Sequence, residues 1–383
     1  MTDTIPEATA GGQARRVIFI DLGRFLALVF MLYGHTVAAL LAPQYQRGTW
    51  FDIWTFQRGL TSALFLLLSG FAFSVATSRH WGSHQRFSFR FLKRVSRFAV
   101  FILLGYALHF PVDRFSQLPM AGDEVWRAFL AVDVLQLIGA TFLVVQVLVL
   151  VTRSRRVFTA AAFVLAALIP IASHPVWAMD WGRLAPPWLA AYMSPAAGSL
   201  FPVFPWASYV LFGAGLGQIY VGWGASRLSS YALVALLAPG AAMVLVASLL
   251  ASMDGTPWSA DPWGFMPIQV PLRMGPCLIL LSLIAYASER LTRLPRLFAV
   301  VGQETLLIYF VHLCIVFGSV WNTGLVGLLG ASLGPWATLA AVVLLLASMA
   351  ALGWYWHWLK HSRPRVARWT MAGAAAVLVG RLL

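Results

Sequence analysis

About ten stretches of this chain are apolar and close to twenty residues long, and that pattern leaves very few folds open. The runs are Val17–Leu41, Leu60–Thr77, Leu92–Phe110, Phe129–Val151, Val157–Ser173, Leu200–Gly222, Tyr231–Ser252, Pro267–Ser288, Phe298–Val320 and Pro335–Leu359. A helix rising 1.5 Å per residue needs about 20 residues to cross hydrocarbon. Inside hydrocarbon every backbone N–H and C=O must be satisfied within the segment, so apolar runs of this length fold as helices. Composition agrees: 60% of residues are hydrophobic and 10% are charged, against about 25% charged in a soluble domain. The fold class expected is all-α, a polytopic integral membrane protein of about ten transmembrane helices. Trp369–Leu383 is shorter and carries Arg381; it fits an eleventh short helix or an interfacial one.

The net charge is +14. A basic soluble domain would suggest nucleic acid, but no such domain remains once the spans are removed, so no nucleic-acid partner is expected. Alternate segments between the runs hold nineteen of the 27 Lys and Arg, from Arg15 and Arg16 through the Arg79–Arg97 loop to Lys360–Arg368, and the other loops hold five. The positive-inside rule then places the N-terminus in the cytoplasm. Residues 1–14 read as a polar tail without a secretory signal pattern, 15–368 as one membrane domain and 369–383 as a short hydrophobic C-terminal segment. Cys277 and Cys314 both lie in apolar runs, which offers neither a disulfide framework nor metal-ligand spacing, so no metal is expected. The outer loops Ala42–Gly59, Pro111–Trp126, His174–Ser199 and Met253–Met266 are rich in Trp, Pro, Gly and Asp. Their tryptophans suit anchoring at the lipid boundary and also ring stacking on sugars.

Polar groups within spans are costly and therefore informative. The first run carries Asp21, Arg24 and His35. Asp21 and Arg24 are three apart and share a face; they suit a ligand site or an ion pair at the helix start. His35 is eleven residues beyond Arg24, close to three full turns, so it lies on the same stripe roughly 16 Å further on. His312 lies about 24 Å beyond Arg296, and His35 about 28 Å beyond Arg16, which puts the two histidines at similar depth. Tyr309 shares a face with His312. Asp133 and Gln136 in the fourth run, Arg273 in the eighth and His109 at the end of the third fall in the same half of the membrane. Depth and facing allow these groups to converge on one polar pocket opening outward.

A histidine in an apolar site can serve as a general base, and a carboxylate such as Asp133 can hold its tautomer. Arginines near the inner face suit phosphates, which guanidinium binds bidentately. A coenzyme A thioester has the matching shape: a charged nucleotide, a long thin arm and a terminal acyl group. On physics alone the same residues fit a transporter or flippase of an anionic or sugar-linked solute, or a sensor using His35 and His312 as a pH switch. No repeated halves with broken helices, common among transporters, are visible.

The segment IDLGRFLALVFMLYGH (Ile20–His35) resembles the opening of the transmembrane acyltransferase superfamily, with Phe25 where a glycine is usual after the arginine. LFLLLSGFAFS (Leu64–Ser74), VDVLQLIGA (Val132–Ala140), FPVFPWASYVLFGAGLG (Phe201–Gly217) and GQETLLIYFVH (Gly302–His312) are similar to the branch that includes heparan-alpha-glucosaminide N-acetyltransferase and its bacterial relatives. The acyltransferase-3 branch shares the first and last motifs. The resemblance implies a multi-pass enzyme, here in the bacterial cytoplasmic membrane. It would move an acyl group, usually acetyl, from cytosolic acyl-CoA to a hydroxyl or amine of a sugar on the far side. His35, Asp133 and His312 are then the candidate catalytic residues, with His35 as base. Arg24, Asp21, Gln136, Arg273 and Tyr309 are the candidate substrate-binding residues. Asp133 or Gln136 would orient His35, and Arg273, Tyr309 or His312 would stabilise the oxyanion. The partners implied are the lipid bilayer, acyl-CoA and a carbohydrate acceptor, with a homodimer left open.

Overall fold

The computed structural model describes residues 17–253, 267–291 and 295–383. The polar tail 1–14, Arg15, Arg16, Arg293 and most of the expected outer loop 253–266 lie outside the described residues. The helices that correspond to the apolar runs are α1 (Ile18–Leu40), α2 (Thr49–Ser78), α3 (Phe89–Leu108), α4 (Val134–Val151), α5 (Arg155–Trp177), α6 (Val203–Ile219), α7 (Leu228–Ala251), α8 (Gln269–Glu289), α9 (Thr305–Phe317) and α10 (Pro335–Ser362). A further helix, α11 (Pro364–Gly380), follows. Among the described residues the paired strands are β1 (Gly318–Ser319) and β2 (Asn322–Thr323), an antiparallel hairpin after α9. The protein is an all-α, multi-pass membrane protein: seven of these helices (α1, α2, α4, α5, α7, α8 and α10) are long and apolar enough to cross a bilayer by length and composition.

Local chemistry explains the helix ends. Ser88 caps α3 by accepting from Phe91 N at 3.2 Å, and Ser154 caps α5 by accepting from Val157 N at 3.2 Å, each satisfying an orphan donor of the first turn. Proline occupies the first turn of α10 and α11, where its missing N–H costs nothing. α9 stops at Gly318, whose φ of 85° is a left-handed conformation that favours glycine.

Three runs differ from the sequence reading. α2 begins at Thr49 and has 30 residues; it is about 45 Å long, so its first turns overrun a hydrocarbon layer of about 30 Å. The fourth run is interrupted at 131–133: Phe129 and Leu130 end the short helix Asp123–Leu130, and α4 starts at Val134 with Asp133 as its N-cap. The ninth run is broken at 302–304, between the short helix Arg296–Val301 and α9.

α2 and α6 lie against each other in the core through small residues. A methyl group placed on Gly70 would overlap the Val210 carbonyl, and one on Gly213 would overlap the Leu67 carbonyl, so only glycine lets the two backbones approach this closely. Gln218 of α6 donates to Ser74 Oγ and Ser78 Oγ of α2, both at 2.9 Å. Such hydrogen bonds join apolar helices where no hydrophobic force distinguishes a neighbour from lipid. α1 packs beside this pair and also touches α8, α9 and α10, which sets its polar stripe against the polar face of α9.

Candidate active site

The stripe on α1 meets α9 at two histidines. His35 Nδ1 lies 3.1 Å from His312 Nε2, with the rings nearly parallel at 17° and their centroids 5.3 Å apart. His312 Nδ1 lies 2.9 Å from the Ile308 carbonyl oxygen. A carbonyl can only accept, so His312 carries its proton on Nδ1 and offers a lone pair at Nε2. His35 Nδ1 must then donate, and in the neutral pair this leaves the lone pair of His35 on Nε2. His312 is fully buried, while His35 lines a cavity of about 880 Å³.

The same cavity collects most of the polar groups expected together. Asp133, His109, Arg273 and Tyr309 all stand on its wall with His35. His109 and Asp133 form a second pair, Nε2 to Oδ2 at 3.7 Å. Asp133 Oδ1 accepts from Val134 N at 2.7 Å, and Gln136 Oε1 accepts from Asp133 N at 3.3 Å, the reciprocal arrangement of a capping box. Gln136 is fully buried beneath this cap, fills the space left by Gly105 and does not line the cavity. The contact to His35 Nδ1 therefore comes from His312, not from Asp133 or Gln136. That contact also occupies the Nε2 of His312, the atom an oxyanion would have used. The Arg273 guanidinium lies 5.3 Å from the Trp206 ring centroid.

Asp21 and Arg24 lie elsewhere. Their side chains approach at 3.9 Å, and Arg24 lines a second cavity, of about 230 Å³, together with Arg94 of α3. Arg94 Nη2 donates to the Phe73 carbonyl at 3.0 Å and its guanidinium lies 3.9 Å from the Phe73 ring centroid. Its Nη1 is buried with no hydrogen-bond partner among the described residues. Among the described residues the smaller cavity has two guanidinium groups on its wall and no carboxylate or histidine, which makes it a place for an anion. Phe65 and Tyr309 line both cavities.

A family model described as heparan-alpha-glucosaminide N-acetyltransferase, catalytic, matches residues 16–245, more than half of the chain. The chain belongs to this family. No curated protein matches it. It is therefore a membrane acetyltransferase of the heparan-alpha-glucosaminide N-acetyltransferase family, with a bilayer and an acetyl donor and acceptor as its partners. The matched stretch holds Arg24, His35, Arg94, His109, Asp133 and Gln136; Arg273, Tyr309 and His312 lie beyond it. Among the described residues no group of three His, Cys, Asp or Glu is placed to hold a metal ion.

Several wall residues of this acetyltransferase escaped the sequence reading. Asp52 and Arg58 fall within the Trp-rich outer loop expected at Ala42–Gly59, yet both belong to α2 and line the large cavity. The aliphatic stem of Arg58 packs 3.5 Å from the Cβ position of Gly34, beside His35. Their signal is a helical one: Asp52, Thr55, Gly59 and Ser62 recur at spacings of three and four, the period of one helix face. Trp206 and Phe65 carried none, since an aromatic residue inside an apolar run looks the same whether it faces lipid, core or cavity.

Proposed function

We propose that this acetyltransferase takes an acyl group, acetyl first of all, from cytosolic acyl-CoA and delivers it to a hydroxyl or amine of a sugar acceptor on the other side of the membrane. The observation that carries this reading is the hydrogen-bonded His35–His312 pair on the wall of a large cavity that shares Tyr309 with an arginine-lined one. Arg24 and Arg94 hold anionic groups of the donor, because guanidinium pairs bidentately with phosphate. The thioester end passes Tyr309 and reaches the level of His35.

In the large cavity the acceptor O–H or N–H attacks the thioester carbonyl while His35 Nε2 takes its proton. The imidazolium so formed still donates from Nδ1 to His312 Nε2, which keeps the ring in place. Arg273 and Tyr309, both on the wall, offer donors to the oxyanion of the tetrahedral intermediate; a preorganised donor of this kind contributes on the order of 3–4 kcal/mol. When the intermediate collapses, the C–S bond breaks and the thiolate recovers the proton from His35. Water and acceptor both fit a cavity of 880 Å³, and its wall carries the aromatic side chains Phe56, Phe201 and Trp206 beside Asp52 and Asp133, a mixture suited to sugar rings and their hydroxyls.

The proposed topology has ten spans and a cytoplasmic N-terminus. Its support is the alternation of Lys and Arg between successive connections. The three helices outside the set of seven each have a reason to fall short. α3 has four cations near its start, Arg90, Lys93, Arg94 and Arg97. α6 has 17 residues before continuing as the π-helical turn Tyr220–Gly224. α9 has 13 residues.

The test is thiol release from acetyl-CoA by purified protein in detergent, with and without a panel of amino sugars and glycan hydroxyl acceptors. Release that requires both an acceptor and His35 supports transfer. Absence of acetyl-CoA binding, together with uptake of a solute into proteoliposomes, would replace transfer with transport.

A further inference from the structure

The two cavities meet at Phe65 of α2 and Tyr309 of α9, the pair of side chains that line both. Their rings lie 6.5 Å apart, inclined at 27°. Tyr309 is buried and set edge-on to His312, 5.6 Å between centroids at 82°. On the other side, Ser69 Oγ donates to the Phe65 carbonyl at 2.8 Å.

The face of α2 that runs past both cavities makes Phe65 stand out. Asp52, Thr55, Gly59 and Ser62 line the large cavity, Ser69 and Ala72 line the small one, and Phe65 lies between them and lines both. These positions recur at spacings of three and four and so form one continuous helix stripe. Phe56 of α2 also lines the large cavity and Leu68 and Phe73 the small one, but Phe65 is the α2 residue that lines both. The stripe members nearest to it on either side, Ser62 and Ser69, are small, so its phenyl ring is the bulk that α2 places between the cavities where Tyr309 comes across from α9.

The chemistry on the two sides gives this interruption a consequence. At about 30 Å³ per water, a cavity of 880 Å³ holds roughly 30 waters, each of them a competitor of the acceptor. His35 Nε2 can take a proton from water as from a sugar hydroxyl. Attack by water on the thioester would give a carboxylic acid and the free thiol, spending the donor without an acyl product. Transfer without hydrolysis requires the thioester to be kept away from this water until an acceptor is seated.

We infer that Phe65 and Tyr309 form an aromatic septum that keeps the donor cavity closed to water in the acceptor cavity and parts only to pass the thioester end. Phe65 is thus a positioning residue that couples donor consumption to the presence of an acceptor. The inference rests on the proposed donor and acceptor cavities, but the barrier itself is measurable without any turnover.

The experiment joins a labelling arm to a turnover arm. Cys277 and Cys314 are replaced by serine, and Ser69→Cys is placed in the small cavity, with and without Phe65→Ala. A membrane-impermeant maleimide is applied to the membrane face from which Asp52→Cys, on the large cavity, is labelled. With Phe65 present, Ser69→Cys is expected to be protected from that face. With Phe65→Ala it is labelled about tenfold faster or more, and acetyl-CoA hydrolysis without acceptor rises by about the same factor while acceptor-dependent transfer falls. Phe65→Leu, a smaller change, gives intermediate values and serves if the alanine variant does not fold; labelling of Asp52→Cys in each background reports an intact large cavity.

Labelling of Ser69→Cys from that face with Phe65 in place overturns the septum, as does continued protection in both Phe65 variants. Opening of the cavity with no rise in acceptor-free hydrolysis overturns the coupling role. If wild-type protein releases no thiol with any acceptor, the proposed function fails, and the labelling arm still decides the septum by itself.

Discussion

The two cavities of this protein differ in kind as well as size. The larger, about 880 Å³, is lined by His35, His109, Asp133 and Arg273 and so brings imidazole, carboxylate and guanidinium side chains together. The smaller, about 230 Å³, presents Arg24 and Arg94 among apolar side chains. Guanidinium groups stay charged at any physiological pH, so the smaller cavity can hold an anion but is poorly suited to moving a proton. The larger one can exchange protons and is far less selective for charge. A transferase that uses a long anionic donor and a neutral or cationic acceptor needs these two environments apart, with the reacting bond at their junction. Tyr309 stands at that junction and touches the ring of His312.

If that division of labour holds, substitutions in the two cavities move different quantities. The largest effect is expected from His35→Ala, a fall in turnover of about 10²–10⁴-fold, the usual range for a general base, with acetyl-CoA affinity unchanged in a direct binding measurement. Next comes His312→Ala, which removes the acceptor for His35 Nδ1 and frees the tautomer. Steady-state kinetics should show kcat reduced by roughly tenfold to a hundredfold with donor KM steady, since lost orientation of a functional histidine commonly costs that much. In the small cavity, Arg24→Ala with Arg94→Ala should raise the donor Kd by about tenfold or more, each charge-assisted hydrogen bond contributing about 1.5–3 kcal/mol. Titration calorimetry would read it, and an effect on kcat alone would erase the distinction between the cavities.

The smallest effect is expected from Asp133→Asn. Asparagine caps a helix as well as aspartate does, and Asp133 faces His109, not His35. A change in kcat within about fivefold and little loss of thermal stability should follow, because the cap survives and only a 3.7 Å contact with a partly exposed histidine is altered. If Asp133→Asn were as damaging as His35→Ala, the proton would run through the second pair and the roles inside the large cavity would need to be exchanged.

What the sequence made legible follows from which signals are periodic. The all-α membrane character was readable because length and apolarity are properties of a run: seven of the ten runs are helices long and apolar enough to cross a bilayer, while the ninth divides into two shorter helices. Depth was readable too: counting residues from the basic ends put His35 and His312 at one level, and the structure sets their nitrogens 3.1 Å apart. Lateral neighbours were not readable, because helical periodicity gives the facing of a residue but not the helix it faces. Hence the spacing allows Asp133 or Gln136 to orient His35, whereas the partners of Asp133 are His109, the Val134 amide and Gln136. The same limit grouped Arg24 with His35 on one stripe without revealing that a septum divides the stripe between two cavities. Asp52 and Arg58 were hidden by composition, since Trp-rich sequence near Pro43 and Gly48 reads as a loop even where the polar residues keep a helical spacing.

The most direct test of the central claim measures binding and transfer separately in the same preparations: acetyl-CoA affinity by calorimetry and acceptor-dependent thiol release by a colorimetric assay, for wild type, His35→Ala and the Arg24→Ala, Arg94→Ala pair. The account predicts that His35→Ala binds acetyl-CoA as wild type does and transfers at background. It also predicts that the arginine pair binds weakly but regains much of its transfer rate when donor is raised to saturation. Wild-type transfer by His35→Ala, or a loss of donor affinity in His35→Ala equal to that in the arginine pair, would contradict it.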